Sequence, residues 1–494
     1  MSGIAVARHA RRARGARVGW TTGRRSATVL AVLIVGLLVR LDSAVIDEGA
    51  QFSDAMQNVR FGHALASAGE FTHPRGDATM YREPLPIAAI AIQMRLDPRL
   101  SGVTLAELSV DGPAIRAVKQ QNLVWAAILL GGVALQSFRL ARSARLTVAL
   151  VSVLAVHAVF VEAVGNRNLS ELPAAAFIVW AGLLAHDTLV RQKVRSAVLS
   201  GLALGLAALT KASMLYIGAA YLVVLATVLL VRRRGRSRTA IAGIMAASIL
   251  MAALVTPWMV RNAQEFGTAS LSDRGGLSIW YRAIYKKATP EELRGAWFAF
   301  TPEPLGPVVG TVLGVSAEDL EGPLRRVHRF HPDETEEQRS LYSLARIDRL
   351  ELTERYLRDT DLTREQARVL ADAELRARSL EVLRRDPRLF LSTTPMFLWR
   401  GTWPILSAPL VPRALLGVVN PLAMVALLIV GFHAVLARRP ERFAVVGLPL
   451  GVVAFSALLT MYEPRFTEPA LPVMLLLLVL GGERMVLRLA HLRR

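Results

Sequence analysis

Three carboxylates stand near the start of the chain, in a polar segment that follows its first long apolar run. Asp47 and Glu48 begin this segment, and Asp54 lies a short distance beyond them. A carboxylate can accept the proton of an attacking hydroxyl group, so each of the three is a candidate general base. A loop beside a membrane also carries carboxylates that are merely solvated, so their role depends on what other segments bring to the same place.

The rest of this segment predicts a helix followed by a polar turn. Phe61 and Leu65 lie about one turn apart, which indicates an amphipathic helix, and Gly69 is a residue type that commonly ends helices. Further polar residues close the segment, namely Tyr81, Arg82 and Glu83, ahead of Pro84.

The composition excludes a soluble globular protein. The 494 residues are 53% hydrophobic, with a mean hydropathy of +0.38, and apolar runs recur from end to end. These features predict an all-α polytopic membrane protein. A formal charge of +20 would indicate nucleic-acid binding in a soluble protein, but here the excess base lies in short loops, so no nucleic-acid partner is expected. The chain has no cysteine, which excludes disulfide and thiolate chemistry.

The distribution of arginine and lysine predicts the topology, because short basic loops remain on the cytoplasmic side. We expect a bundle of ten membrane-spanning helices. The number could become twelve if the short apolar piece Pro84 to Met94 crosses the membrane instead of lying at its surface. The expected spans are near residues 26–46, 118–138, 146–164 and 172–190, two within 196–231 divided at Lys211, then 239–257, 415–436, 443–460 and 470–482.

This topology divides the chain into five parts. Residues 262–388 hold 22 of the 39 acidic and 20 of the 59 basic residues, and are long enough for an extracytoplasmic domain. Its second half, Leu341 to Arg385, has helical periodicity and stops at Asp386. The other parts are a basic cytoplasmic N-terminus (1–25), a membrane module (26–261) with an external loop (47–83), a C-terminal membrane module (389–482) that begins with a surface-lying return, and a basic cytoplasmic tail (483–494).

The charged residues close to the spans on the outer side all reach one membrane surface. Lys211 is the most informative, because a lysine within an apolar run costs about 2.5 to 3.5 kcal/mol at mid-membrane and usually has an anionic partner. The alternative is a snorkelling lysine that only ends a span. The other residues of this surface are Asp47, Glu48, Asp54, Arg82, Glu83, Glu171, Arg261, Glu463 and Arg465.

Five short motifs, in order along the chain, resemble those of GT-C glycosyltransferases of the protein O-mannosyltransferase and lipid A aminoarabinose transferase type. The motifs are Ser53-Asp54 through Gly69-Glu70-Phe71 with Tyr81-Arg82-Glu83-Pro84-Leu85, then Leu169-Ser170-Glu171-Leu172-Pro173, Gly205-Leu206-Ala207-Ala208-Leu209-Thr210-Lys211, Pro257-Trp258 with Arg261-Asn262, and Glu463-Pro464-Arg465-Phe466 with Pro469 and Pro472. They cover most of the membrane portion and fall on the expected outer face.

The resemblance implies an inverting transfer of a sugar from a polyprenyl-phosphate donor to a cell-envelope acceptor, which is a glycan, lipid or protein. The site would face outward from the cytoplasmic membrane. Asp54 would be the catalytic base, with Asp47, Glu48 and Glu171 as secondary acidic candidates. Lys211, Arg261 and Arg465 would bind the donor phosphate, where leaving-group charge needs fixed cations. Candidate acceptor or loop residues are Tyr81, Arg82, Glu83 and Trp258.

Several alternatives stay open from the sequence. A transporter or flippase of a lipid-linked substrate would use the same basic residues, although inverted repeats would then be expected. A non-enzymatic membrane scaffold would explain residues 262–388 but not the clustered outer charges. The three cations could also be paired structurally with Glu171 and Glu463 instead of with a phosphate. No cofactor is indicated with certainty, and a divalent metal ion is compatible with the residues.

Overall fold

A computed structural model describes residues 46–72, 78–141, 143–156, 166–231, 237–302, 305–327, 335, 339–403 and 413–492. The basic N-terminus and all but the last residue of the first expected span, 26–46, lie outside these residues. Within the described parts the chain is helical and forms no β-strand, which confirms the predicted all-α class.

The helices of seven residues or more are numbered here in chain order over the described parts. They are α1 (Ser53–Ala68), α2 (Pro84–Leu96), α3 (Pro113–Lys119), α4 (Gln121–Ala141), α5 (Ala144–Val156), α6 (Glu171–Arg191), α7 (Val194–Thr210), α8 (Ser213–Val231), α9 (Ser237–Phe266), α10 (Gly275–Ala283), α11 (Pro290–Ala299), α12 (Gly306–Leu313), α13 (Leu341–Asp359), α14 (Arg364–Arg385), α15 (Pro387–Thr402), α16 (Arg413–Leu436), α17 (Pro440–Leu459) and α18 (Leu471–Leu492).

The protein is a polytopic membrane protein. Among the described residues, six helical stretches are long and apolar enough to cross a bilayer: Pro113–Leu140, Glu171–Arg191, Ser213–Val231, Arg238–Phe266, Gly417–Leu436 and Pro440–Leu459. Shorter apolar stretches occur in α2, α5, α7 and α18. The expected spans after the first all overlap one of these helices, although the end of the third falls on residues 157–165, outside the description.

The bundle is centred on α6. Fifteen of its 21 residues are buried, and it packs against α4, α7 and α17. Small residues let these helices approach closely: a Cβ on Gly182 would lie 3.1 Å from the Ala444 carbonyl oxygen. Since Glu171 is the first residue of this central helix, its carboxylate enters the protein interior at the end of the bundle.

Two helices continue beyond the expected ends of their membrane spans. The span expected to finish at 257 continues as α9 to Phe266, so Trp258 and Arg261 lie on a helix and not in a loop. The apolar run ends where predicted, but the backbone meets no stop signal until Gly267, whose positive φ of 71° ends the helix. Likewise, α18 passes the predicted end at 482 and continues to Leu492.

The polar segment contains more helices than its periodicity predicted. Leu341 to Arg385 is not one helix but two, because Thr363 caps a new helix in a capping box with Gln366. The predicted stop at Asp386 is confirmed, and α15 begins at once at Pro387. The first half of the segment is also largely helical, in α10, α11 and α12.

The first external segment forms the predicted helix, α1, which ends at Gly69 in the left-handed conformation with φ 76°. This helix packs against α2. On the other side of the site, α10 packs against α14 and α13. The candidate site lies between these two groups of helices and the turn that joins α17 to α18.

Candidate active site

Asp54 is held by three arginines from distant parts of the chain. It lies in the first turn of α1, and its side chain is 14% exposed. Arg82 donates a hydrogen bond to Oδ1, and Nη1 of Arg274 lies 3.7 Å from the same oxygen. Arg465 donates from Nη2 to Oδ2 at 2.9 Å. The two carboxylate oxygens therefore face two different groups of cations.

The positions of these arginines follow from local structure. Arg82 lies just before α2 and Arg274 just before α10. The start of α10 is fixed because the N–H of Gly276 donates to Asp372 of α14 at 2.7 Å. Arg465 lies in a single 3₁₀ turn, Pro464–Thr467, between two apolar helices. Each arginine thus stands on a short segment anchored at a helix end.

The arginines keep Asp54 ionised. Burial by itself would raise the pKa of this carboxyl, but the charges of Arg274, Arg82 and Arg465 outweigh burial and hold the pKa well below its ordinary value. A carboxylate stabilised to this degree accepts a proton poorly, because basicity falls with pKa. Weakening the contact with any of these arginines would raise the pKa of Asp54 toward its ordinary value.

A second group of charges lies beside Arg465 and is called here the buried charge cluster: Glu171, Lys211, Glu463, Arg465 and Glu468. Lys211 Nζ lies 3.2 Å from Glu171 Oε1, and Arg465 Nε lies 2.9 Å from Glu463 Oε2. The three glutamates are 3%, 1% and 2% exposed in chain order. Lys211 thus has an anionic partner, and both cations have the acidic neighbours named by the structural alternative.

Glu468 differs from the other two glutamates. It lies in the turn before α18, and its Oε2 is buried without a hydrogen-bond partner among the described residues. Burial and the nearby Glu171 carboxylate raise the pKa of Glu468 to about 8. Its carboxyl group is therefore mostly protonated at neutral pH. Sequence reasoning missed this residue, although it lies within the last of the five motifs.

Arg261 has different neighbours from the buried charge cluster. Its Nη1 donates to the carbonyl oxygen of Thr79 at 2.8 Å, and its Nη2 to that of Phe71 at 3.3 Å. Its guanidinium group also lies 4.9 Å from the ring of Trp258. Arg261 therefore ties the first external segment to α9, while the structure brings Lys211 and Arg465 together elsewhere.

The other two carboxylates of the first segment bind α3. Asp47 Oδ1 lies 2.5 Å from Lys119 Nζ, and Glu48 Oε1 lies 3.7 Å from Arg116 Nη1. Their side chains are 59% and 54% exposed, in contrast to the buried carboxylate of Asp54. Of the three carboxylates, Asp54 is thus the one enclosed by cations.

The remaining predicted residues serve as supports around Asp54. Guanidinium groups lie 4.3, 4.7 and 5.2 Å from the ring of Tyr81, and they belong to Arg368, Arg274 and Arg82. Together these charges outweigh burial and lower the pKa of the Tyr81 hydroxyl.

Glu83 and Trp258 connect the site to the membrane helices. A Glu83 carboxylate oxygen accepts from the N–H of Ala212 at 3.1 Å, which joins the start of α2 to the break between α7 and α8. The indole N–H of Trp258 donates to the Leu271 carbonyl at 3.0 Å. These contacts hold the elements that carry Arg82 and Arg261.

Several residues of the polar segment were not predicted. Arg274 reaches Asp54, and the buried Asp273 lies 2.8 Å from Arg349 and 3.0 Å from Arg368. No periodicity or motif distinguishes these residues among the 42 charges of residues 262–388. Their role follows from the packing of α10 against α13 and α14, which the sequence does not reveal.

A cavity of about 850 Å³ opens beside Asp54. Its walls come from α1, Tyr81, α10 and the polar helices α13 and α14, and they include Ser53, Asp54, Gln57, Arg274, Tyr281 and Tyr342. This volume is in the range of small-molecule sites. Asp54 lies at the edge of the cavity, and Arg465 contacts its other oxygen.

Several known structures are similar to this chain over 94% of its length. The apo archaeal oligosaccharyltransferase from Archaeoglobus fulgidus matches with a TM-score of 0.50 and 15% identity, covering 94% of this chain and 51% of that one. A structure of the same enzyme, AglB, with an inhibitory peptide and a dolichol-phosphate matches with a TM-score of 0.48 and 14% identity over 94% and 51% of the two chains. ArnT from Cupriavidus metallidurans bound to undecaprenyl phosphate matches with a TM-score of 0.37 and 15% identity, covering 94% of this chain and 78% of that one.

The similarity to the apo oligosaccharyltransferase, with a TM-score of 0.50, establishes the fold. The chain has a GT-C fold. It spans about half the length of the oligosaccharyltransferase structures that it matches. No protein-family model matches the chain, and no curated protein matches it significantly.

Within this GT-C fold, the residues that the structure describes contain no group of three or more His, Asp or Glu side chains placed to hold a metal ion. What they do provide is an ionised carboxylate between two cationic regions. One region lies among buried groups at the ends of apolar helices, and the other lines a water-accessible cavity. Such an arrangement can accept a proton on one side and stabilise an anionic leaving group on the other.

Proposed function

We propose that the protein is an inverting glycosyltransferase that moves a sugar from a polyprenyl-phosphate donor to an acceptor. The proposal is supported chiefly by one observation. Asp54 joins the cavity to Arg465, with Oδ1 facing Arg82 and Arg274 and Oδ2 facing Arg465. A carrier lipid remains in the bilayer and presents its phosphate at the interface, where the turn bearing Arg465 connects two apolar helices.

The donor phosphate binds Arg465 and Lys211 in this proposal. Each cation already has a carboxylate partner, at 2.9 Å and 3.2 Å, so a phosphate would share the cations with those carboxylates. Arg465 then holds Asp54 less strongly, and the pKa of Asp54 rises toward its ordinary value. Donor binding thereby converts a poorly basic carboxylate into a competent base, before any acceptor is activated.

Asp54 accepts the proton of the acceptor hydroxyl in the transfer step. The hydroxyl oxygen forms a bond to the anomeric carbon, and the bond from that carbon to the phosphate oxygen breaks. The electron pair leaves with the polyprenyl phosphate, whose charge Arg465 and Lys211 stabilise. Attack opposite to the leaving group inverts the configuration, which places the acceptor on the cavity side of Asp54.

Arg261 acts indirectly in this mechanism. Because it binds the carbonyl oxygens of Phe71 and Thr79, it orders the segment that leads to Tyr81 and Arg82. We therefore assign it to positioning the loop rather than to contacting the phosphate. Asp47, Glu48 and Glu171 are assigned to structural pairs with Lys119, Arg116 and Lys211.

The site faces outward from the cytoplasmic membrane in this proposal, and the acceptor is a cell-envelope glycan, lipid or protein. The sidedness is supported by basic residues near the opposite helix ends, such as Arg139, Arg191 and Arg439. Residues 262–388 then form an extracytoplasmic domain above the site.

The deciding experiment incubates purified protein in detergent with undecaprenyl-phosphate-linked sugars and cell-envelope extract. We expect release of undecaprenyl phosphate by wild type, and a rate about 100-fold to 10,000-fold lower with Asp54→Asn. An intact donor with every sugar tested would contradict the proposal. An intact donor that crosses the bilayer of reconstituted vesicles would instead identify a transporter.

A further inference from the structure

The cavity beside Asp54 is strongly cationic. Among the described residues that line it are seven arginines, three tyrosines and a single carboxylate, that of Asp54. The surrounding segment does not share this bias, because residues 262–388 contain 22 acidic and 20 basic residues. Six of these 20 basic residues line the cavity, whereas none of the segment's acidic residues that the structure describes does so.

The protein neutralises only part of this charge. Arg349 and Arg368 share the buried carboxylate of Asp273, at 2.8 Å and 3.0 Å. In contrast, Arg60 and Arg346 make no ion pair with any residue that the structure describes, and both are exposed. Guanidinium groups of one sign in a concave site create a field that attracts anions. Their planar geometry suits bidentate contact with phosphate or carboxylate.

The cavity is separate from the region where a carrier lipid would present its phosphate. None of its lining residues belongs to the six long apolar helical stretches. Arg465 contacts Oδ2 of Asp54 and does not line the cavity. Arg274 does line the cavity, and its Nη1 lies 3.7 Å from the other oxygen, Oδ1. The anion that the cavity attracts is therefore on the opposite side of Asp54 from the buried charge cluster.

We propose that the acceptor is an anionic molecule whose phosphate or carboxylate groups are bound by Arg60 and Arg346 while its hydroxyl group lies against Asp54. The proposal rests on the function proposed above, because that function places the acceptor on the cavity side. The rings of Tyr281 and Tyr342 stack with centroids 4.7 Å apart and line the same cavity. The guanidinium group of Arg346 lies 5.9 Å from the Tyr342 ring, so a sugar ring of a bound acceptor would contact this aromatic part of the wall.

Binding of inorganic tripolyphosphate to the purified full-length protein tests this inference without requiring turnover. We expect saturable binding, weakened about tenfold for each guanidinium group removed in Arg60→Gln, Arg346→Gln and the double variant. Arg358→Gln is the matched control, because Arg358 is an exposed arginine on the same helix as Arg346 that does not line the cavity. It should weaken binding about twofold at most. Equal weakening by the control would overturn the site.

Two competitors locate the anion relative to the donor. Undecaprenyl phosphate fills the phosphate region alone, and undecaprenyl-phosphate mannose also fills the sugar region. We expect tripolyphosphate to bind in the presence of either. If both competitors displaced tripolyphosphate, its site would be that of the carrier phosphate. If only undecaprenyl-phosphate mannose displaced it, its site would be that of the transferred sugar. Either result would overturn the assignment of the anion site to the acceptor.

The two proposals fail separately. If the protein binds tripolyphosphate through Arg60 and Arg346 but consumes no donor, the glycosyltransferase proposal fails and an anion site remains. If it consumes donor but the double variant binds tripolyphosphate like wild type, the anionic acceptor is wrong and the glycosyltransferase proposal stands. Thermal unfolding midpoints equal to wild type establish that the variants are folded.

Discussion

Replacing Asp54 with asparagine separates a catalytic carboxylate from a structural one. Asp54→Asn keeps the size and polarity of the side chain but removes its charge and its capacity to accept a proton. If Asp54 is the base, we expect the rate of donor consumption to fall about 100-fold to 10,000-fold. A residue with only a structural role would change stability without this loss of rate per folded molecule.

The stability effect can be estimated from the contacts. Nη2 of Arg465 lies 2.9 Å and Nη1 of Arg274 3.7 Å from carboxylate oxygens of Asp54, whose side chain is only 14% exposed. Removing one partner of a buried ion pair typically costs about 3 to 5 kcal/mol, because the remaining charges are left uncompensated. Asp54→Asn leaves three guanidinium groups without their shared anion. Undecaprenyl phosphate supplies a new anion, so its stabilising effect should be larger in the variant than in wild type.

The assay combines donor consumption with thermal unfolding, measured with and without undecaprenyl phosphate. Glu48→Gln is the matched control, because the Glu48 side chain is 54% exposed and its partner Arg116, at 3.7 Å, is itself 30% exposed. Exposed pairs contribute about 0 to 1 kcal/mol, so this variant should keep its stability and rate. Near wild-type turnover in Asp54→Asn, together with loss of turnover in Asp47→Asn or Glu48→Gln, would refute the assignment of the base.

Three further outcomes are expected. Glu468 keeps its proton in the folded state up to about pH 8 but loses it near pH 4.5 when unfolded. The free energy of unfolding of wild type should therefore fall as the pH rises from 4.5 to 8, by about 1.4 kcal/mol per pH unit relative to Glu468→Gln. Chemical unfolding at a series of pH values measures this difference, and the same pH dependence in both proteins would contradict the prediction. Arg465→Gln should abolish most of the thermal shift given by undecaprenyl phosphate, and an undiminished shift would remove Arg465 from the phosphate site. In this cysteine-free chain, Glu70→Cys should react with an impermeant maleimide on intact cells, whereas Lys193→Cys should react only after the cells are permeabilised. The reverse pattern would show that the predicted topology is inverted.

The candidate site was partly accessible from sequence. A lysine between two apolar runs stands out locally, and Lys211 was proposed for this reason. Asp54 was one of three local candidates, and the resemblance of its motif distinguished it from Asp47 and Glu48. Arg274 and Glu468 were missed. Arg274 acts only through the packing of α10 on α14, and the altered pKa of Glu468 depends on burial beside Glu171, which is nearly 300 residues away in the chain.

The sequence by itself determined the all-α membrane class and the positions of most helices. The length of an apolar run and the position of a basic loop are local properties, and each acts directly on how the chain inserts into a bilayer. The sequence did not determine where helices end beyond the apolar runs, as α9 shows, since a helix continues until its backbone meets a stop such as Gly267. Tertiary structure alone decided which charges meet. Asp54 is enclosed by arginines 28, 220 and 411 residues away in sequence, and partners at such separations are chosen by the packing of helices rather than by any local pattern.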